Sequence, residues 1–259
     1  MRNIYLIFKK ETKSYFSSPV AYVVIAMFLL ISGYLFYGIF AYFSTISFQA
    51  QMDPSIARQQ NLLNVTESVV RPLFGIISMI MLIMMPLLTM RLFAEEKKSG
   101  TIELLLSYPI SDAEVVAGKF LACMGVLLTM LGLSLIFPVL IIAFGEPEIG
   151  PIVSGYMGMV LLGAAFISLG LFASSLTENQ IIAATVSFGV LFLFWMLNLS
   201  APFAGPWLGK FIEYVTMTHH LEAFAKGVVD TEDIIYYGLF IFLFLFLTLR
   251  ILESKRWRG

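Results

Sequence analysis

Residues 91–111 read RLFAEEKKSGTIELLLSYPIS and separate two uncharged apolar runs, residues 72–90 and 120–145. Thirteen positions of this stretch hold six charged residues, namely Arg91, Glu95, Glu96, Lys97, Lys98 and Glu103. Because one unpaired charge buried in hydrocarbon costs on the order of several kcal/mol, the pattern predicts a water-exposed loop between two membrane spans. Residues 101–106 are apolar again but too short to span. They predict a surface piece on which a partner protein docks.

The chain as a whole is far too apolar for a soluble domain, since 59% of its 259 residues are hydrophobic and 13% are charged. This composition predicts an all-α membrane protein, because uncharged runs of roughly 20 residues match a hydrocarbon core of about 30 Å. Pro86 and Pro138 are expected to kink their spans. We treat residues 1–259 as one domain, with a loop at 91–114 and spans at 20–43, 72–90, 115–144, 152–174, 181–201 and 234–252.

Residues 1–19 mix apolar and basic positions, which is typical of a helix lying in the membrane interface. A cleaved signal peptide is the alternative. The apolar run that follows is longer than the roughly 7–15 residues of a signal-peptide core, so we favour the interfacial helix. The connection 44–71 is predicted as a long polar loop with one helical stretch near 56–65, and 202–233 as a second long polar segment.

Basic residues fix the predicted orientation. Twelve of the sixteen Lys and Arg residues fall in the N-terminal segment, the central loop with its exit at Lys119, and the C-terminal tail. The other four are Arg58, Arg71, Lys210 and Lys226. The excess of positive charge on cytoplasmic loops therefore places both termini and the central loop in the cytoplasm.

Several functions are disfavoured by the residues themselves. The predicted span interiors carry no ionisable side chain, which argues against a proton- or ion-coupled transporter. They also offer no ring of charged side chains of the kind that lines an ion channel. The segment GPWLGK at 205–210 lacks the spacing of an ATP-binding loop, so no ATP binding by this chain is expected. His219 and His220 are more typical of interfacial or capping residues than of a metal site. Methionine sulfur is a ligand for Cu(I), but packing between helices explains the methionines of the second span more simply. The near-zero net charge gives no sign of nucleic acid binding.

The central stretch resembles the cytoplasmic loop of ABC-2-type exporter permeases. The residues that match this loop pattern are Glu95, Glu96, Gly100, Thr101, Glu103, Leu104, Leu105, Pro109 and Ser111. The resemblance extends to six spans after an N-terminal interfacial helix, and it implies the ABC-2 (type V exporter) fold in a bacterial inner membrane. It also implies a non-enzymatic subunit that pairs with a second permease copy and couples through this loop to a separate subunit holding ATP and Mg. In this interpretation Gly100 interrupts the helix of the second span, and Thr101 caps a short surface helix.

A second stretch, HHLEAFAKGVVDTEDIIYY at 219–237, resembles the segment before the last span in gliding-motility-associated permeases and in nitrous-oxide-reductase maturation permeases. The residues that match are His220, Phe224, Lys226, Gly227, Asp230, Asp233 and Tyr236. A purely structural role is also open, in which Gly227 ends one helix and residues 230–233 cap the next. A partner on the extracytoplasmic face is a further expectation. The competing hypotheses are a plain solvated turn at 91–111 and a non-transporting membrane scaffold.

Overall fold

The computed structural model describes residues 2–52, 63–103, 110–200 and 203–256, and these ranges contain helices and connections but no strand. A π-helical turn, Thr66–Val70, leads into the third helix. The helices are α1 (Arg2–Ser17), α2 (Pro19–Met52), α3 (Arg71–Thr89), α4 (Arg91–Lys98), α5 (Asp112–Ser134), α6 (Ile136–Phe144), α7 (Ile149–Leu176), α8 (Gln180–Ser200), α9 (Pro206–Val215), α10 (Met217–Ala225) and α11 (Thr231–Arg256).

Six helical segments of the described chain are long and apolar enough to cross a membrane, and they confirm the predicted all-α class with six spans. The protein is therefore a multi-pass membrane protein. These segments are Pro19–Met52, Thr66–Lys98, Asp112–Phe144, Ile149–Leu176, Gln180–Ser200 and Thr231–Ser254.

The helix of the first span is longer than the apolar run that predicted it. It continues nine residues past Phe43 to Met52, and no proline or glycine interrupts residues 44–52. The prediction, which relied on the change to polar residues, therefore placed the end of this helix too early. Residues 56–62 of the predicted helical stretch at 56–65 lie outside the described residues.

The helix of the third span is interrupted just before Pro138. Its helix ends at Ser134, and α6 starts at Ile136, two residues before Pro138. Proline has no N–H to donate to the carbonyl four residues back, which here belongs to Ser134. The Tyr156 hydroxyl donates to that carbonyl at 3.0 Å instead. The helix is therefore interrupted close to Pro138, and a side chain from α7 satisfies the freed acceptor.

Helix α7 is the centre of the bundle and packs against α3, α4, α5, α8, α10 and α11. Most of its residues are buried, and small residues bring its neighbours close. A Cβ atom added at Gly170 would lie 2.1 Å from Thr89 Oγ1, and one added at Gly155 would lie 2.2 Å from Phe74 Cε2. The path of α3 along α7 therefore depends on glycine at both contacts.

The bundle has two ends, which α3 connects. Its 19 residues span about 28 Å, from Arg71 to Thr89. We call the end at Thr89 the joint end, because α3 meets α4 there, and the end at Arg71 the far end. Helix α1 packs against α5 at the joint end, and α10 packs against the first turns of α7 at the far end.

Candidate functional site

The charged stretch of residues 91–98 is helical and continues the second span with only Met90 between α3 and α4. Ser174 of α7 lies against this joint. Its hydroxyl accepts hydrogen bonds from the N–H groups of Phe93 at 3.0 Å and Ala94 at 3.1 Å, and it donates to the Met90 carbonyl at 2.9 Å. The Ser174 side chain thus ties the central helix to the backbone where α3 passes into α4. We call Leu88–Ala94 with these contacts the joint.

Two further helices donate hydrogen bonds to carbonyls of the joint. The Tyr15 hydroxyl of α1 donates to the Leu88 carbonyl at 2.8 Å, and the Lys119 ammonium of α5 donates to the Leu92 carbonyl at 2.7 Å. Burial raises the pKa of Tyr15 well above its ordinary value, so its hydroxyl remains a neutral donor. Helices α1, α5 and α7 are thus all bonded to the same short piece of backbone.

Lys119 is also the centre of an ion-pair cluster. Its side chain is 1% exposed, and its Nζ lies 3.0 Å from Glu11 Oε1 of α1 and 3.0 Å from Glu96 Oε1 of α4. Lys10 lies 3.4 Å from the same Glu96 oxygen, but its side chain is 63% exposed. One buried cation therefore holds two carboxylates from two different helices.

Two buried lysines at this end, Lys119 and Lys97, correct two expectations from the sequence. Lys119 lies within the predicted span 115–144, so that span does contain an ionisable side chain. The loop charges were also expected to lie in water, whereas Lys97 is buried and its Nζ donates to the Ser175 carbonyl of α7. Both ammonium groups can be buried because carboxylates or carbonyls from neighbouring helices satisfy them. Glu95 and Lys98 remain exposed, as predicted.

Helix α4 ends at a glycine. Gly100 has φ +70°, a conformation that residues with a Cβ adopt only at a cost, and nothing would contact an added Cβ there. The predicted interruption at Gly100 is therefore present. Thr101 is already helical, and its hydroxyl lies 3.4 Å from the Glu96 carbonyl behind it. Its side chain thus reaches the end of α4, whereas the sequence suggested that it caps the following helix.

The remaining residues of the coupling motif lie in different settings. Glu103 is exposed, and Leu104, Leu105 and Pro109 lie outside the described residues. Ser111 forms a capping box with Glu114, in which the Glu114 N–H donates to Ser111 Oγ at 3.3 Å and the Ser111 N–H donates to Glu114 Oε2 at 3.2 Å. The spacing S-x-x-E at 111–114 is the sequence signal for this cap.

Replacing Ser174 with alanine tests the joint. We expect Ser174→Ala to lower the free energy of unfolding by about 1 kcal/mol, because the Phe93 and Ala94 N–H groups lose their partner and only partly recover acceptors within the helix. Amide hydrogen exchange of residues 90–94 should become faster. Ser175→Ala is the matched control, since the Ser175 hydroxyl donates only to the Phe172 carbonyl of its own helix. Equal exchange in both variants would contradict this role of Ser174.

The second resembling stretch forms a buried cluster at the far end. His220 is 2% exposed, and its ring nitrogens lie 2.6 Å from Asp233 Oδ1 and 2.9 Å from the Tyr214 carbonyl. Its ring stacks on Tyr236 with centroids 3.9 Å apart. His220 is thus a packed core histidine. Asp233 was expected to help cap α11, but its carboxylate joins the first turn of α11 to α10.

Gly227 ends α10 as predicted. It has φ +88°, and the N–H groups of Gly227 and Val228 donate to the carbonyls of Phe224 and Ala223, which is a Schellman motif. Lys226 is the C-cap residue, and Asp230 immediately precedes α11. The Phe224 carbonyl also accepts a hydrogen bond from Ser154 Oγ of α7 at 2.6 Å, which ties α10 to the central helix.

The chain as a whole was compared with known proteins. The family model described as ABC-2 family transporter protein matches residues 5–253, which run from α1 into the last span. The chain belongs to the ABC-2 transporter family. A search of curated proteins found no match. The match covers nearly the whole chain, so the joint and the far-end cluster both belong to the permease domain.

Proposed function

We propose that this permease is the membrane subunit of an ATP-driven exporter and forms its translocation path with a second permease copy. Residues 1–259 would act as one domain. Support comes from the family match over residues 5–253 and from six helices suited to span a membrane. Members of this family work with an ATP-binding subunit. ATP and Mg would be held by that partner, and hydrolysis would occur there.

The ATP-binding subunit would dock at the joint end, on the segment from Glu95 to Ser111. The observation that carries this proposal is the joint, where helices α1, α5 and α7 all bond to the backbone just before that segment. Exposed Glu95, Gly100, Thr101 and Glu103 would contact the partner, and Glu96 would connect this surface to Lys119. Leu104, Leu105 and Pro109 would extend the surface. A push on this segment would reach three other helices at once, two of which are spans.

The excess of basic residues supports an orientation with both termini and the joint end in the cytoplasm of a bacterial inner membrane. The far end would then face outward, where an extracytoplasmic partner could contact the surface around Lys226, Gly227 and Asp230. The similarity of residues 219–237 to gliding-motility-associated permeases supports placing the chain near that branch. The buried His220–Asp233 contact would keep that surface rigid.

Co-purification tests the docking proposal. The tagged permease is extracted from its native membranes in mild detergent, and the bound ATP-binding subunit is quantified together with its ATPase activity. We expect Gly100→Ala and Glu103→Gln to reduce both, because the first strains the backbone at φ +70° and the second removes an exposed charge.

The far end offers matched controls for these two variants. Gly205 has φ +77° with open space around it, and Glu146 is exposed near the start of α7. Gly205→Ala and Glu146→Gln should therefore leave the complex and its ATPase activity unchanged. Equal binding and activity in all four variants would overturn docking at this segment. Absence of any ATP-binding subunit would favour a non-transporting scaffold.

A further inference from the structure

A cavity of about 420 Å³ opens at the far end between α3, α8 and α10. Its size lies within the range of small-molecule sites in proteins. Polar and apolar side chains both line it. The lining residues that matter here are Arg71, Phe74, Trp195, Thr218, Glu222 and Lys226.

Two polar atoms of the lining are buried and have no hydrogen-bond partner among the described residues. They are Nε of Arg71 and Oγ1 of Thr218. Buried donors of this kind are nearly always satisfied in folded proteins, so a pair of them at one cavity calls for an acceptor. One terminal nitrogen of Arg71, Nη1, is already paired with Glu67. Nε, at the inner edge of the guanidinium group, is a donor that this pair leaves unused.

Two cationic groups reach the cavity, Arg71 from α3 and Lys226 from the end of α10. Glu222 also lines it and Glu67 pairs with Arg71, so the unpaired Nε donor, and not an excess of positive charge, favours an oxyanion. Guanidinium groups bind carboxylate and phosphate oxygens through charge-assisted hydrogen bonds. The rings of Phe74 and Trp195 also line the cavity. Cationic and aromatic groups therefore lie together in one lining.

The place of the cavity along the bundle agrees with this chemistry. Arg71 begins α3, and the uncharged run 72–90 follows it directly, so the cavity lies where a polar chain segment meets a span. An amphiphile placed here would have its charged group at Arg71 and its apolar part beside the span. Both a bilayer lipid and a soluble amphiphile offer this combination.

We propose that this cavity binds an amphipathic oxyanion, a molecule in which a phosphate or carboxylate group is joined to an apolar body. Arg71 Nε, Thr218 Oγ1 and Lys226 bind the oxygens, and Phe74 and Trp195 pack on the apolar part. This inference does not depend on the docking of an ATP-binding subunit, which concerns the opposite end of the bundle.

The chain contains a convenient reporter for this test. It has three tryptophans, and Trp207→Phe with Trp257→Phe leaves Trp195 as the single one. This full-length variant is purified in dodecyl maltoside and titrated with dodecyl phosphate, dodecanoate, dodecanol and inorganic phosphate. We expect a saturable change in Trp195 emission with the first two probes. Dodecanol and inorganic phosphate should act at least about tenfold more weakly, since each lacks half of the recognised structure.

Substitutions connect the signal to the cavity. Arg71→Gln should weaken dodecyl phosphate binding about tenfold or more, and Thr218→Val should weaken it less, because the lost hydrogen bond is uncharged. Lys210→Gln is the matched control, since Lys210 is an exposed cation of α9 outside the cavity lining. Arg71→Lys retains the charge without the Nε donor and should bind with intermediate affinity. A thermal unfolding curve for each variant separates lost binding from lost folding.

Nanodiscs distinguish the two sources of the ligand. A larger change in Trp195 emission with phosphatidylglycerol than with phosphatidylcholine identifies a bilayer lipid as the ligand. A change with soluble dodecyl phosphate alone identifies a soluble amphiphile. Either result supports the proposal. A signal that does not saturate overturns it. So does one that Lys210→Gln reduces as much as Arg71→Gln, or one that inorganic phosphate reproduces in full.

Discussion

Lys119→Met should lower the free energy of unfolding by about 3–5 kcal/mol, because it leaves the carboxylates of Glu11 and Glu96 partly buried without their shared cation. The chain has one cysteine, Cys123, and it is fully buried, so its reaction with a fluorescent maleimide reports unfolding. The apparent melting temperature measured in this way should fall by several degrees.

Two control variants separate the buried charge from general damage. Lys10→Met removes an exposed cation near the same Glu96 oxygen and should change the stability by less than about 1 kcal/mol. Combining Lys119→Met with Glu11→Gln and Glu96→Gln removes the charges together and should restore much of the loss, since no unpaired ion remains. If Lys10→Met and Lys119→Met proved equally mild, the cluster would have no special role.

Gly118→Ala should detach α1 from α5. A Cβ atom at this position would lie 2.6 Å from Ile7 Cγ2 and 2.7 Å from Ile7 Cβ, and the second of these atoms cannot move without the backbone of α1. Overpacking of this kind typically costs about 1–3 kcal/mol. We expect trypsin to cleave after Lys9, Lys10 and Lys13 about ten times faster once α1 is displaced.

Gly125→Ala is the matched control on the same pair of helices. Its Cβ would lie 3.8 Å from Phe8 Cε2, an ordinary van der Waals contact. Since alanine is favoured over glycine inside a helix by up to about 1 kcal/mol, this variant should be neutral or slightly stabilised. Faster trypsin cleavage in Gly125→Ala than in Gly118→Ala would show that α1 is not held by close packing at Gly118.

The six spans could be predicted because they depend on local composition. An uncharged run of about 20 residues is visible in the sequence whatever it packs against, and so are breakers such as Pro138 and Gly100. The helix ends were less certain, as the nine extra residues after Phe43 show. There, the helix continues after the apolar signal has ended, and no breaker residue marks its end.

The ion-pair cluster could not be predicted, because its members are far apart in the sequence. Lys119 and Glu11 are separated by 108 positions, and only the packing of α1 on α5 brings them together. Read locally, Lys119 looks like one more basic residue at the exit of a loop. The contact of His220 with Asp233 was missed for a related reason, since a turn between α10 and α11 brings together residues that looked like separate caps.

If α4 rotates about the joint, its two ends move by different distances. This helix has eight residues and is about 12 Å long, so a rotation of about 10° about Met90 moves Gly100 by about 2 Å. The carbonyls at the pivot move by only tenths of an ångström, within reach of the Tyr15, Ser174 and Lys119 donors. Helix α4 thus has the shape of a short lever, since its base at the joint is hydrogen-bonded to three other helices and its far end leads to the exposed Gly100.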